Sequence, residues 1–356
     1  SLAMQVMVSQ NDKHLLALGC VPYGSTSDAD FDPLLIRWAA QDAPEFWTPG
    51  TVTVPSTGNL SSAGFIRVSR GSAIIRGLAT RQTILVWTNS SLYSLQYTGT
   101  TEVFSLQEIA DNISIMGPRA VISANNVTYW MGTDKFYGYA GAVETTPCTL
   151  RNHVFNNLNY NQRDQVIAGT NEGFHEIWWF YPSKNSEQVD SYVVFNYLEQ
   201  VWHYGSLART AWLDSPLRAY PQAVGYENIL LDHERGIDAD GLPMESYIQS
   251  SDFDIGDGDN FMLTRRIIPD VNFDGSTAGT PSLDFLIKPR NFPGSTYQSD
   301  SFDDQKVVSS AVDVYTDQIW MRARARQMAL KIMSTDLGVN WQLGSPRLDA
   351  RQDGRR

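Results

Sequence analysis

Short apolar runs, split by Gly, Asn, Asp and Ser, recur along the first two thirds of the chain. Ile84 to Trp87 reads as a strand, 89–91 as a turn and 92–97 (LYSLQY) as the returning strand. The same unit reappears as 127–131 (VTYWM), a turn at 132–135 (GTDK) and 136–139 (FYGY), and again as 176–181 (EIWWFY) with 192–197 (YVVFNY). A further turn at 198–200 leads to 201–204 (VWHY). Short aromatic and β-branched strands separated by turn residues are the signature of antiparallel hairpins. Trp47, Trp87, Trp130 and Trp178 are separated by 40, 43 and 48 residues. A period of about 40–50 residues around a strand-turn-strand unit is what propeller blades give. Each blade buries a face on its neighbour, so each repeat needs an aromatic there. No Trp-Asp dipeptide occurs, which sets the chain apart from WD40 repeats. The pattern therefore predicts an all-β chain of propeller-like blades over 1–245. An ordinary β-sandwich with evenly spaced tryptophans is the plainer alternative.

Helix is scarce. Leu150, Val154 and Leu158 at i, i+4 and i+8 predict a short helical insertion at 149–158. Near residue 245 the character changes to an acidic, glycine-punctuated stretch, 251–259. Strand signals follow at 265–273 and 283–288, and 292–310 reads as a long polar loop. Within 318–333, Arg322, Arg324 and Arg326 alternate with Ala323 and Ala325, a period of two that favours strand. The segment 246–356 is thus predicted to be a second β-rich domain, a sandwich or barrel, ending in a basic segment.

Composition narrows the function classes. The 356 residues carry 42% hydrophobic and 12% aromatic side chains, enough for a packed core rich in sheet-favouring types. The net charge of −12 makes the chain a poor candidate for gripping nucleic acid by phosphate neutralisation. It does not argue against a conduit past which a polyanion slides. The charge is uneven: 319–356 is net +5 and the remainder net −17. Cys20 and Cys148 predict two buried thiols rather than a disulfide framework. No signal peptide is expected, and no apolar run approaches the roughly 20 residues of a membrane span. Sequons at Asn59, Asn89, Asn112 and Asn126 have no supporting secretory signal.

Signatures of chemistry are sparse. Gly-Lys never occurs, so no phosphate loop is present, and no Gly-x-Ser-x-Gly elbow exists. The five histidines lie at no helical ligand spacing. Asp252, Asp254, Asp257 and Asp259 resemble a calcium loop, but Leu263 stands where the bidentate glutamate belongs. A solvated acidic turn is the better reading. Asp232, His233 and Glu234 read as a surface ion cluster rather than acid/base machinery. No catalytic residue, cofactor or metal is assigned. On one face of a strand, the guanidinium groups of Arg322, Arg324 and Arg326 would repeat at about 7 Å, near the spacing of DNA phosphates; in so acidic a chain, pairing with carboxylates across the sheet or at a subunit interface is the better reading.

Seven segments, 89–97 (NSSLYSLQY), 111–118 (DNISIMGP), 129–137 (YWMGTDKFY), 176–182 (EIWWFYP), 192–197 (YVVFNY), 209–214 (RTAWLD) and 341–344 (WQLG), taken in that order, resemble the tail nozzle or hub proteins of short-tailed bacteriophages. These are also called packaged-DNA stabilisation proteins. The resemblance runs from about residue 11 to the C-terminus. It implies a β-propeller carrying a further β-domain, six copies in a ring below the portal and adaptor, and a channel that retains and conducts double-stranded DNA. It further implies a virion location after synthesis in the bacterial cytoplasm, no membrane insertion and no enzyme activity. The family is longer at the N-terminus, which leaves the blade number open. A carbohydrate-binding or glycoside-hydrolysing propeller, acting as a receptor-binding module, is the competing expectation.

Overall fold

The computed structural model describes residues 2–355 apart from 10, 82, 101 and 296–306. Strand covers 48% of the chain and helix 5%, so the fold is all-β. The chain divides into two compact units, Ser1–Glu234 and Arg235–Arg356. The sequence places its change of character at 245. The intervening segment joins the second unit, where Gly338 N donates to Asp238 Oδ1 at 2.7 Å.

The first unit is a run of small antiparallel sheets, each made from consecutive strands. The first sheet is Ala3–Ser9 (β1), His14–Cys20 (β2), Asp32–Trp38 (β3) and Gly64–Arg67 (β4). The second is Ile74–Ala79 (β5), Ile84–Thr88 (β6), Ser91–Tyr97 (β7) and Phe104–Asp111 (β8). The third is Val121–Ala124 (β9), Val127–Met131 (β10), Phe136–Tyr139 (β11) and Val143–Thr146 (β12). The fourth is Ile167–Asn171 (β13), Glu176–Tyr181 (β14), Ser191–Asn196 (β15) and Val201–Ser206 (β16). The fifth has three strands, Ala211–Leu213 (β17), Gln222–Val224 (β18) and Leu230–Asp232 (β19).

The inner strands β6 and β14 bury both faces because they alternate two kinds of apolar side chain rather than apolar with polar. In β6, Ile84 and Val86 share a core with Leu16, Leu18, Ile36 and Trp38 of the first sheet. Leu85 and Trp87 point the other way, into a core with Trp130 and Phe136 of the third. In β14, Ile177, Trp179 and Tyr181 join that core, while Trp178 and Phe180 pack on Trp212 of the fifth sheet. At the edges of the stack the first strands of neighbouring sheets meet, β1 with β5, β9 with β13 and β13 with β17. Each buried aromatic removes about 150–250 Å² from water, roughly 4–6 kcal/mol of transfer free energy before entropy is counted.

The tryptophan spacing holds in register but not in role. Trp87 and Trp178 face the following sheet, whereas Trp130 and Trp179 face the preceding one. A one-residue offset on a strand reverses the face, so even spacing alone could not reveal this. Trp47 belongs to no strand. It lies in the excursion between β3 and β4, under the guanidinium of Arg37 at 5.6 Å.

The predicted insertion at 149–158 is shorter than expected. An α-helix spans Arg151–Asn156 (α1), and a 3-10 helix follows at Tyr160–Gln165. Leu150 at the N-cap offers no side-chain acceptor, so nothing extends the helix backwards. Val154 and Phe155 anchor it in the core, with Leu158 buried just beyond its end.

The second unit holds Ser246–Gln249 (β20), Met262–Ile268 (β21), Val271–Asn272 (β22), Ser282–Arg290 (β23), Val308–Asp313 (β24), Ile319–Ala325 (β25), Gln327–Ser334 (β26), Gln342–Leu343 (β27) and Arg347–Gln352 (β28). A four-stranded sheet ordered β20-β26-β23-β24 and a three-stranded sheet ordered β25-β21-β28 share one core. That core is mostly aliphatic: Met262, Ile267, Leu283, Ile287, Met321 and Ile332, with Phe285 at its centre. The ambiguous segment 318–333 is strand from Ile319 onward except at Arg326, where the chain passes from one sheet to the other. The predicted loop 292–310 ends sooner than expected, because 308–310 open β24 and pair with β23. Residues 296–306 of that loop lie outside the described residues.

Candidate functional site

The second unit carries the densest charge feature. Along β25 every other residue is buried: Ile319, Met321, Ala323 and Ala325 enter the core, while Trp320, Arg322 and Arg324 stand outward. The adjacent strand β21 is bulged between Thr264 and Arg266. Thr264 and Ile267 both point inward and are fully buried, so the extra residue puts Arg265 and Arg266 together on the outer face. On β28, Leu348 and Ala350 pack inward, which turns Arg347, Asp349 and Arg351 outward. In register, Arg266 lies between Trp320 and Asp349, and Leu263 lies between Arg324 and Arg351. Three strands thus build one arginine-rich face around an exposed indole.

The guanidinium groups are held to different degrees. Arg324 pairs with Asp353 at 2.6 Å and lies 4.2 Å from the ring centroid of Phe261. Arg351 approaches Asp349 at 3.7 Å. Arg266 donates to Gln318 Oε1 at 3.4 Å and lies over Trp320, which is 70% exposed. Arg265, Arg322 and Arg347 have no partner among the described residues.

Of the three arginines read from the sequence, the structure therefore brings two, Arg322 and Arg324, to the outer face. Arg326 is engaged elsewhere. Its guanidinium donates to the carbonyls of Gly258 at 3.3 Å, Asp259 at 3.2 Å and Arg355 at 3.3 Å, closing the corner between β25 and β26. Arg265, Arg266, Arg347 and Arg351 were not singled out. Their signals were present, in the Arg265-Arg266 pair and in the period-two spacing of 347, 349 and 351, but strand pairing between distant segments makes them one surface.

The first unit has an open recess of about 1240 Å³ where the turns after first strands converge. Asp12, Arg81, Tyr97, Asn125, Asn126 and Tyr139 are among its lining residues. The β9–β10 turn needs two residues at positive φ. Asn125 (48°) and Asn126 (63°) supply them, as asparagine tolerates this region best after glycine. The recess offers mixed donors and acceptors beside two tyrosines.

The remaining candidates disperse. Asp232 accepts from Gln222, His233 Nε2 accepts from Arg209 Nε at 2.9 Å, and Glu234 accepts from Asn171. Burial, with the Arg209 charge second, drives the His233 ring down to about 4, so it is a neutral acceptor. In the acidic stretch, Asp252 pairs with Arg290 at 2.6 Å, Asp254 accepts from Gln327 and Asp259 lies 3.8 Å from Arg355. Among the described residues no three His, Cys, Asp or Glu side chains gather as a metal would require. Cys20 and Cys148 are free thiols, each pushed up to about 11 by burial. Among the described residues no helix is long and apolar enough to cross a membrane.

No known protein-family description matches this chain, and no curated protein matches it either.

Proposed function

We propose that the protein is a non-enzymatic structural subunit of a short-tailed phage tail, a nozzle or hub that assembles as a ring and lets genomic DNA be retained and conducted. One observation carries the reading: consecutive four-stranded meanders are locked face to face by buried aromatics. We read these sheets as propeller-like blades and the second unit as a β-sandwich. Such stacking gives a rigid part with large surfaces for contact. The ordered motifs between residues 89 and 344 supply the family resemblance.

The ends of the stack support assembly. On β1, Met4, Val6 and Val8 stand 50–58% exposed, on the face opposite the one Gln5 turns to Gly77 of the second sheet. On the fifth sheet, Leu213 and Leu230 are 54% and 61% exposed. Exposed apolar side chains along the outer face of β1 are of the kind that marks protein contact sites. The test is electron microscopy and solution mass of the protein with and without a portal–adaptor complex. A ring joined to that complex is the expected result, and failure to join any such complex defeats the reading.

The recess in the first unit favours a second reading, a carbohydrate-binding module. Tyr97 is 39% exposed beside Asp12, Asn125 and Asn126, a mix suited to a polyhydroxylated ligand. Glycan-array binding that is lost in Tyr97→Ala would favour it over the tail reading.

A further inference from the structure

We propose that the outer face of the β25-β21-β28 sheet is a docking surface for the phosphodiester backbone of a nucleic acid. The inference stands apart from the tail reading, because the charge and geometry of the face carry it without any ring. Arg322 and Arg324 repeat at about 7 Å along one strand, Arg265 and Arg266 stand on the bulge of the neighbouring strand, and Arg351 lies two strands across from Arg324, about 10 Å away. The result is a two-dimensional array, not a single ion-pair site. A regularly repeating polyanion engages several members of such an array at once, whereas an isolated carboxylate engages one. The cations are all arginine, whose planar fork suits phosphate oxygens in a bidentate manner.

The local balance is strongly positive. Among the described residues, the ion pairs of Arg265, Arg266, Arg322, Arg324, Arg347 and Arg351 are Arg324 with Asp353 and Arg351 with Asp349. The negative charge of the rest of the chain acts weakly here. At physiological ionic strength charges further than about 8 Å away are largely screened. Trp320 adds a second element. An indole 70% exposed on top of Arg266 is costly to leave in water, and aromatic platforms interleaved with arginine are what single strands stack upon. Arg265, Arg322 and Arg347, which have no partner among the described residues, would lose no existing ion pair on binding.

The experiment is fluorescence anisotropy of the full chain with a labelled 20-mer, as duplex and as single strand, across 50–200 mM salt. Binding of either form, steeply weakened by salt, is expected. The double variant Arg322→Gln/Arg347→Gln should lower affinity at least about tenfold and flatten the slope of log K against log salt by about 2, one unit per phosphate contact removed. Arg322→Lys/Arg347→Lys should retain most of the salt slope, and Arg218→Gln in the first unit should change nothing. Both arginines are exposed, so an unchanged thermal melt is expected to accompany the loss. Single-strand preference that disappears in Trp320→Ala identifies stacking as part of the contact. Duplex preference unaffected by that change identifies the backbone row alone. Absence of binding to both forms, binding indifferent to the double variant, or equal affinity for poly-glutamate of the same charge would overturn the proposal.

Discussion

The two units of the chain bury their apolar residues by different means. In residues 2–234 the largest core is rich in aromatics, and indole N–H groups tether sheets to the backbone: Trp130 to Ser114 O at 3.1 Å, Trp179 to Ala120 O at 3.1 Å and Trp212 to Thr170 O at 2.7 Å. In residues 235–355 one core of Met, Ile, Leu and Ala lies between two sheets. Aromatic tethers fix orientation as well as burial, because a displaced indole leaves its own buried N–H unpaired. An aliphatic core fixes volume and leaves orientation to strand register. The first unit is therefore expected to tolerate substitution poorly at a few named positions, and the second to spread the same sensitivity over many.

The largest effects come from emptying either core. Trp179→Ala removes a fully buried ring packed on Phe136 at 4.8 Å and one of the two hydrogen bonds the Ala120 carbonyl accepts, the other coming from Met131 N at 3.0 Å. Phe285→Ala empties the centre of the other core. Each is expected to cost about 3–5 kcal/mol. Hydrogen exchange resolved by peptide should show protection lost in the variant's own unit. Simultaneous loss in both units after either substitution would show one cooperative structure and end the comparison.

Steric demand gives the next effect. A Cβ on Gly169 would stand 2.4 Å from Cδ1 of Trp212, so the fifth sheet closes on the fourth only because position 169 is glycine. Gly169→Ala should cost about 1–3 kcal/mol by overpacking. Gly138→Ala, where the nearest atom is 3.6 Å away, should cost less. Denaturant melts of the two variants measure the difference, and equal costs would mean that Trp212 moves freely.

A smaller effect is set by pH. His233 has its pKa pushed down to about 4 in the fold, against about 6.5 when unfolded. Between these values the unfolded chain binds the extra proton, so stability is full above about 6.5 and falls as pH drops towards 4. The ring is only half-buried, so solvent screening reduces the effect to about 1–2 kcal/mol. Thermal melts of wild type and His233→Gln over pH 4–7 check it. The variant should lose that part of the acid sensitivity, and parallel curves would exclude His233 as its source.

The β content and the hairpins at 84–97, 127–139 and 176–197 were legible because their strands are short, aromatic and separated by turn residues. So was the strand carrying Arg322 and Arg324, from its strict alternation with alanine. Trp47 misled because spacing says nothing about whether a tryptophan sits in a strand. Trp178 and Trp179 adjoin, and only packing shows that they serve opposite faces. The arginine face was legible in one strand and hidden in the other two. Arg265 and Arg266 reach it through a bulge, and Arg347 and Arg351 through pairing with a strand some 80 residues earlier, geometry that no local pattern encodes. Arg326 lies one step past the end of its strand, where it shares the Phe261 ring with Arg324 but is held by backbone carbonyls.

The finest test of the aromatic tether lies at its exception. Trp87 is buried against Trp130 at 5.5 Å, yet its indole Nε1 has no acceptor among the described residues. Trp87→Phe deletes an unpaired buried donor, a gain of about 1–3 kcal/mol, and loses ring volume, a cost of similar size. The net change should stay within about 1 kcal/mol. Trp130→Phe loses comparable volume and also strands the Ser114 carbonyl, so it should cost about 1–2 kcal/mol more. Urea melts of both variants decide the point. If Trp87→Phe costs as much as Trp130→Phe, indole hydrogen bonding contributes nothing distinct, and the first unit is held by burial alone, as the second is.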